Sequence, residues 1–155
     1  MKNSDIVDVA KWFLSKSPMT VRRLQILCYY AQAWSVTINN RDIANNCEFI
    51  AWGLRPTNIK LQSITKKEGF SPFDRIRLKS SCRLPRFKDK DIKLLESVWL
   101  TYKECSDDVL EMQVTSEHPW ERAKLKAEHF ESPSGVISRH DMREYYGLIY
   151  NKKGE

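Results

Sequence analysis

The sequence predicts a mainly α fold, a single compact bundle of six or seven helices with one or two short strands. Two observations carry this expectation. Apolar residues recur at helical spacing in several stretches, and good capping residues precede most of them. A third observation sets the scale: 155 residues with 41% hydrophobic content suffice for a packed interior without disulfide or metal staples.

The first helix is expected over residues 5–15. Ile6, Val9, Ala10, Phe13 and Leu14 share one face, Ser4 stands at the N-cap, and Pro18 follows the end. The second is expected over residues 21–36 with Thr20 as its cap. Leu24, Leu27, Cys28, Ala31, Trp34 and Ile38 form its stripe, flanked by Tyr29 and Tyr30. A helix apolar over most of its circumference is packed on several sides. Gln32 stands in that company and needs a partner, for which a backbone group of residues 49–52 is the expectation.

Residues 47–52 read as a short extended segment with β-leaning composition. A third helix is expected to start near Pro56, carry Ile59, Leu61 and Ile64, and stop at Gly69. Residues 70–88 lose all periodicity and read as a loop, with a short strand at 75–78. Ile92, Leu95, Val98, Trp99 and Tyr102 then mark an amphipathic helix from Asp89. Ser106 caps a short helix over 107–114. Residues 116–120 read as a turn into a helix over 121–126. Ser138, with Asp141 three residues on, starts a last helix over 139–146. One domain is expected over residues 1–150, followed by a frayed tail at 151–155.

Composition narrows the function classes. No targeting segment or membrane span is visible, so the expected location is the cytoplasm. Cys28, Cys47, Cys82 and Cys105 form no CxxC pair and read as small buried hydrophobes. The three histidines stand 11 residues apart, at none of the usual metal-ligand spacings. There is no GxSxG elbow, and the five glycines are scattered. The expectation is a protein without cofactor, metal or enzymatic activity.

The net charge of +6 is local, because residues 66–90 hold nine basic against three acidic residues. Arg75, Arg77, Lys79, Arg83, Arg86 and Lys88 interleave there with Phe70, Phe73 and Phe87. Three readings of this segment stay open. It is a solvated loop docked by its phenylalanines, a contact for an acidic protein, or a grip on nucleic acid.

Leu24, Gln25, Leu27, Tyr30, Ala31, Gln32 and Trp34 compose a segment, LQILCYYAQAW, that resembles the signature of the Panacea domain. This is the SocA-like, phage-associated group of antitoxins. Ala51 and Trp52 match that family's AW dipeptide, and His118, Pro119 and Trp120 its HxPW-like element. Val136 and Ile137, followed by Tyr145 and Tyr146, resemble its C-terminal helix. The match runs through most of the chain in the family's order. It departs at Gly53-Leu54-Arg55-Pro56, where the family has Gly-Pro-Val.

The resemblance implies an antitoxin that neutralises a cognate toxin by direct protein binding. Some members act as adaptors delivering the toxin to a protease. The expected partner surface is Trp52, Arg55 and the basic loop, with Tyr30, Gln32, His118 and Trp120 shaping the fold beneath. The alternative is a nucleic-acid-binding regulator that uses residues 66–90.

Overall fold

The computed structural model describes residues 4–129 and 135–153. Among them are seven α-helices and two antiparallel pairs of short strands, the mainly α architecture that the periodicity predicts. In chain order the elements are α1 (Ile6–Lys16), β1 (Met19–Thr20), α2 (Val21–Trp34), a π-helical turn (Ser35–Asn39), β2 (Ile50–Trp52), β3 (Arg55–Thr57), α3 (Ile59–Lys67), β4 (Arg75–Ile76), α4 (Asp89–Tyr102), α5 (Asp107–Thr115), α6 (His118–His129) and α7 (Arg139–Lys153). No helix of the described residues is long and apolar enough to cross a membrane.

The bundle is built around α2. All its residues from Leu24 to Ala33 are buried, and α1, α4, α5, α7 and β3 pack against it. Its first backbone N–H groups find acceptors outside the helix. Val21 donates to the Asp74 carbonyl at 3.0 Å, Arg22 to that of Pro72 at 2.9 Å, and Arg23 to the Thr20 hydroxyl at 3.2 Å. The expected cap at Thr20 is therefore present, and the irregular segment after α3 is sewn to the bundle by its own carbonyls. β1 and β4 pair beside this junction, Met19 opposite Ile76.

Several boundaries differ from the expectation. Asp5, not Ser4, caps α1, because Asp5 and Asp8 exchange bonds with each other's end of the first turn. Ser4 instead receives the Asn45 N–H on its carbonyl. Helix α2 loosens into the π turn before residue 36, where the buried Ser35 hydroxyl donates to the Arg41 carbonyl at 2.7 Å. Pro56 lies in β3 rather than in a helix. It stands opposite Ala51, whose N–H needs no partner there because it donates to Gly135 at 2.9 Å.

The third helix begins at Ile59 because Asn58 caps it. His118, Pro119 and Trp120 belong to α6 rather than to a turn, as proline is tolerated in a first turn. Helix α7 continues through Gly147 to Lys153, so residues 151–153 of the expected tail are helical. Residues 154 and 155 lie outside the described ones. All four cysteines are free, and only Cys28 and Cys47 are buried; Cys82 and Cys105 are half-exposed.

Geometry favours glycine at positive φ, and of the positions where this occurs Gly53 and Gly135 bear most on the site. Gly53 turns the β2–β3 hairpin at φ +70°, and Gly135 sits at φ +49°. A Cβ on Gly135 would come within 3.0 Å of the Ala127 side chain. Residues 136 and 137 then run beside β2, with Ile137 donating to the Phe49 carbonyl at 2.9 Å.

Asn58 ties these parts together. Its side-chain oxygen accepts from Leu61 N at 3.0 Å, and its Nδ2 donates to the Asn46 and Glu48 carbonyls at 2.7 and 2.9 Å. Its backbone trades bonds with Gln25 of α2 at 2.8 and 3.1 Å. Replacing it by alanine deletes a helix cap and strands two carbonyls, a loss of about 2–4 kcal/mol. Urea denaturation is expected to show that loss for Asn58→Ala and at least as large a one at neutral pH for Asn58→Asp, which keeps the cap acceptor but sets a buried carboxylate against the Asn46 and Glu48 carbonyls.

Candidate functional site

Exposed apolar side chains stand on two elements that pack together, the β2–β3 hairpin and α5. Trp52 and Leu54 at the hairpin tip are 53% and 65% exposed, and Met112 on α5 is 72% exposed. Val109, one helical turn before Met112, is also exposed. An ion-pair network ties the two elements together. Arg55 Nε donates to Glu111 Oε2 at 3.0 Å, and Arg22 Nη1 reaches the same oxygen at 3.4 Å and Asp108 at 2.9 Å. The Arg22 guanidinium also covers the ring of Phe73, itself exposed, at 4.9 Å.

The neighbouring arginine fixes the helices that carry this face. Arg23 donates to the carbonyls of Tyr102, Lys103 and Cys105 at 3.1, 2.9 and 2.7 Å, closing the end of α4. It also pairs with Asp107 at 3.0 Å, at the start of α5. Burial works upward on the Asp107 carboxyl, but the Thr20 hydroxyl and Arg23 overcome it and hold Asp107 below the usual carboxylate range.

The structure divides the sequence-predicted surface. Trp52 is exposed as expected. Arg55 is not a free surface cation, since its side chain is 14% exposed and bound to Glu111. Arg75 is exposed beside β1, where it donates to the Pro18 carbonyl at 3.3 Å. Arg77, Lys79, Arg83, Arg86 and Lys88 are exposed, and among the described residues no carboxylate lies within ion-pair distance of any of them. Arg86 and Lys88 border a different recess of ≈ 530 Å³, shared with the paired Arg41 and Asp91. The basic segment therefore spans two regions of the molecule. Phe87 packs against the core, whereas Phe70 and Phe73 stay exposed.

The motif residues are mostly interior. Leu24, Gln25, Leu27, Tyr30, Ala31, Gln32, Ala51 and Pro119 are buried, Trp34 and Trp120 half-buried, and His118 is exposed rather than beneath the surface. Gln32 donates to Asp42 at 2.7 Å and accepts from Ile43 N at 2.9 Å, so its partners come from the loop after α2 and not from residues 49–52. Arg139 closes on Asp42 at 2.6 and 2.7 Å and holds that carboxyl below its usual range.

Sequence reasoning missed a buried acid. Glu117 Oε1 accepts the hydroxyls of Tyr30 and Tyr146 at 3.0 and 2.8 Å, and Tyr146 also meets Tyr29 at 3.1 Å. Tyr30 stacks on Tyr102, their centroids 4.1 Å apart, and Tyr102 accepts from Trp34 Nε1 at 3.0 Å. Burial raises the Glu117 carboxyl above the usual range, against the hydroxyl bonds from Tyr146 and Tyr30 that lower it. Burial likewise pushes Tyr30 well up, and the Glu117 charge adds to it. These phenols are hydrogen-bond donors, not nucleophiles. A glutamate between two helices, in Ser116-Glu117-His118-Pro119, carries no local mark of burial.

His140, Asp141 and Glu144 bring ligand atoms within 4.8 Å of one another. Arg122 already sits 3.4 Å from Asp141, and His140 lies 3.2 Å from Glu144. The chain matches no family model, no curated protein and no solved structure.

A raised carboxyl pKa in the fold means the neutral acid is favoured there. Its contribution is fully present below the unfolded-state value near 4.3 and is lost as pH rises through the folded value. Glu117→Gln keeps the acceptor but cannot ionise. Its stability relative to the wild type is expected to improve between pH 4 and pH 8 in paired denaturation curves. A fall over that range would assign Glu117 the opposite role.

Proposed function

We propose that the chain is a protein-binding module of the antitoxin kind, which neutralises a cognate toxin in the cytoplasm by direct contact. The observation that carries this reading is the set of exposed apolar side chains, Trp52, Leu54, Val109 and Met112, on two elements tied together by paired arginines. Large exposed apolar side chains set on a braced support are what protein interfaces use as anchors. The resemblance of LQILCYYAQAW and its companions to the Panacea signature supports the same reading. On it, Gln25, Tyr30 and Gln32 build the scaffold, and the toxin meets the hairpin and α5. The reading needs no catalytic step and no cofactor, and it leaves room for a protease that receives the toxin from this module.

A second reading rests on the exposed cations Arg77, Lys79, Arg83 and Lys88. Such a cluster suits a phosphate backbone as well as an acidic protein. The two separate by salt. Nucleic-acid binding falls by orders of magnitude between about 50 and 200 mM salt, while contact through an apolar face falls little.

The test is growth rescue. The protein encoded beside this chain's gene is expressed alone, then with the wild type and with variants. The wild type is expected to restore growth and to co-purify. Leu54→Asp and Met112→Asp, both at exposed positions, are expected to weaken the complex by about 100-fold in titration calorimetry. Arg77→Glu with Arg83→Glu is expected to lower the association rate more than it raises dissociation. Full rescue and unchanged affinity in both aspartate variants would remove this face from consideration.

A further inference from the structure

The opposite end of the tyrosine network opens into a cleft of ≈ 680 Å³, larger than the recess near Arg86. One wall is a face of α4: Lys90, Lys93, Leu94, Ser97, Val98 and Thr101. These positions follow a helical repeat, so they line up over roughly 16 Å of helix axis. The other wall comes from the π turn and α7, with Ile38, Ile149 and Tyr150. Tyr102, Tyr146 and Glu117 close one end.

Three features give the cleft a chemistry. Its interior is apolar and aromatic, and its floor is held in place. Tyr146 is fixed by Glu117 and Tyr29, and Tyr102 by the Tyr30 stack and the Trp34 bond. A pocket that does not have to form before binding spares its ligand that cost. Tyr102 is also left with a proton to give. Its buried hydroxyl accepts from Trp34 but, among the described residues, donates to no protein acceptor. Finally, Lys90 and Lys93 are exposed, and among the described residues neither lies within ion-pair distance of a carboxylate.

The one carboxylate in the cleft is Glu117. Two tyrosine hydroxyls already occupy one of its oxygens, and burial favours its neutral form. The electrostatic balance of the cleft is therefore positive. The recess near Arg86 also holds two cations outside any ion pair among the described residues, Arg86 and Lys88, but no tyrosine hydroxyl lines it.

We infer that this cleft binds a small aromatic anion. The ring lies between Leu94 and Val98 on one side and Ile149 on the other. An oxygen of the ligand accepts a hydrogen bond from the Tyr102 hydroxyl, and its negative charge faces Lys90 and Lys93. The volume suits a molecule of two or three rings. The site shares no residue with the face around Trp52, so it stands whether or not that face binds a toxin.

The probe is 8-anilinonaphthalene-1-sulfonate, an aromatic sulfonate whose fluorescence rises when it leaves water. The folded wild-type chain is expected to bind one dye saturably at micromolar concentration. In a ¹H–¹⁵N spectrum the Trp34 indole signal is expected to shift along the same isotherm. Lys93→Glu, which reverses one charge, is expected to weaken binding about ten-fold. Ser97→Trp, an exposed position on the α4 wall, is expected to fill the cleft and weaken it at least as much. Circular dichroism and melting curves check that both variants keep the fold, and Lys67→Glu on α3 is the neutral control. The proposal is overturned by a wild type that does not bind saturably, by a Trp34 signal that stays still, or by either cleft variant keeping wild-type affinity.

Discussion

Burying α2 on every side forces each of its polar side chains to find a partner, and those partners hold the remaining elements in register. Gln25, Tyr29, Tyr30, Gln32 and Ser35 are all buried. Each is satisfied from a different quarter: Asn58 ahead of α3, Tyr146 on α7, Glu117 ahead of α6, the loop residues Asp42 and Ile43, and the Arg41 carbonyl. A polar atom left unpaired in that interior costs about 1–3 kcal/mol, several times what a slipped apolar contact costs. Hydrophobic burial drives the chain together, but it is tolerant of small rotations. The hydrogen bonds are not, so they select one arrangement of the helices around α2.

The same helix reaches the outer surface through its first turn. Arg22 and Arg23 leave α2 where it emerges from the core. One braces Glu111 and Asp108 on α5, and the other fastens the end of α4 to Asp107. The apolar side chains of the hairpin and α5 thus stand on a support continuous with the core. A rigid face loses little conformational entropy on binding, which is the property a neutralising module of the proposed kind requires. Arginine suits this work better than lysine because its planar fork bonds several acceptors at once.

Local pattern made most of the helices legible. The stripe of Ile6, Val9, Ala10 and Phe13 is buried, as are Leu24, Leu27, Cys28 and Ala31. What stayed hidden depends on residues far apart in sequence. Arg55 looks like a free cation until Glu111 is brought beside it, and Glu117 looks like a turn residue until Tyr30 and Tyr146 close over it. Boundaries failed where two local cues competed. Pro56 suits a first helical turn, but its neighbours pair with β2 and the Asn58 cap lies two residues later. Gly147 weakens the end of α7 by propensity, yet the helix runs on because Ile149 packs against the core.

The unpaired cations of the loop follow a different logic from the paired ones. Arg22, Arg23 and Arg55 are neutralised where they are half-buried, because an unpaired charge there would be costly. Arg77, Lys79 and Arg83 remain exposed, where water solvates them and a carboxylate partner would add little. Left free, the three add local positive charge to the exposed loop. A field of that kind acts over roughly one Debye length, about 8 Å at physiological salt, and accelerates encounter with an acidic surface without touching it. On the proposed reading labour divides: the apolar side chains of the hairpin and α5 would set how long a partner stays, and the loop how fast it arrives.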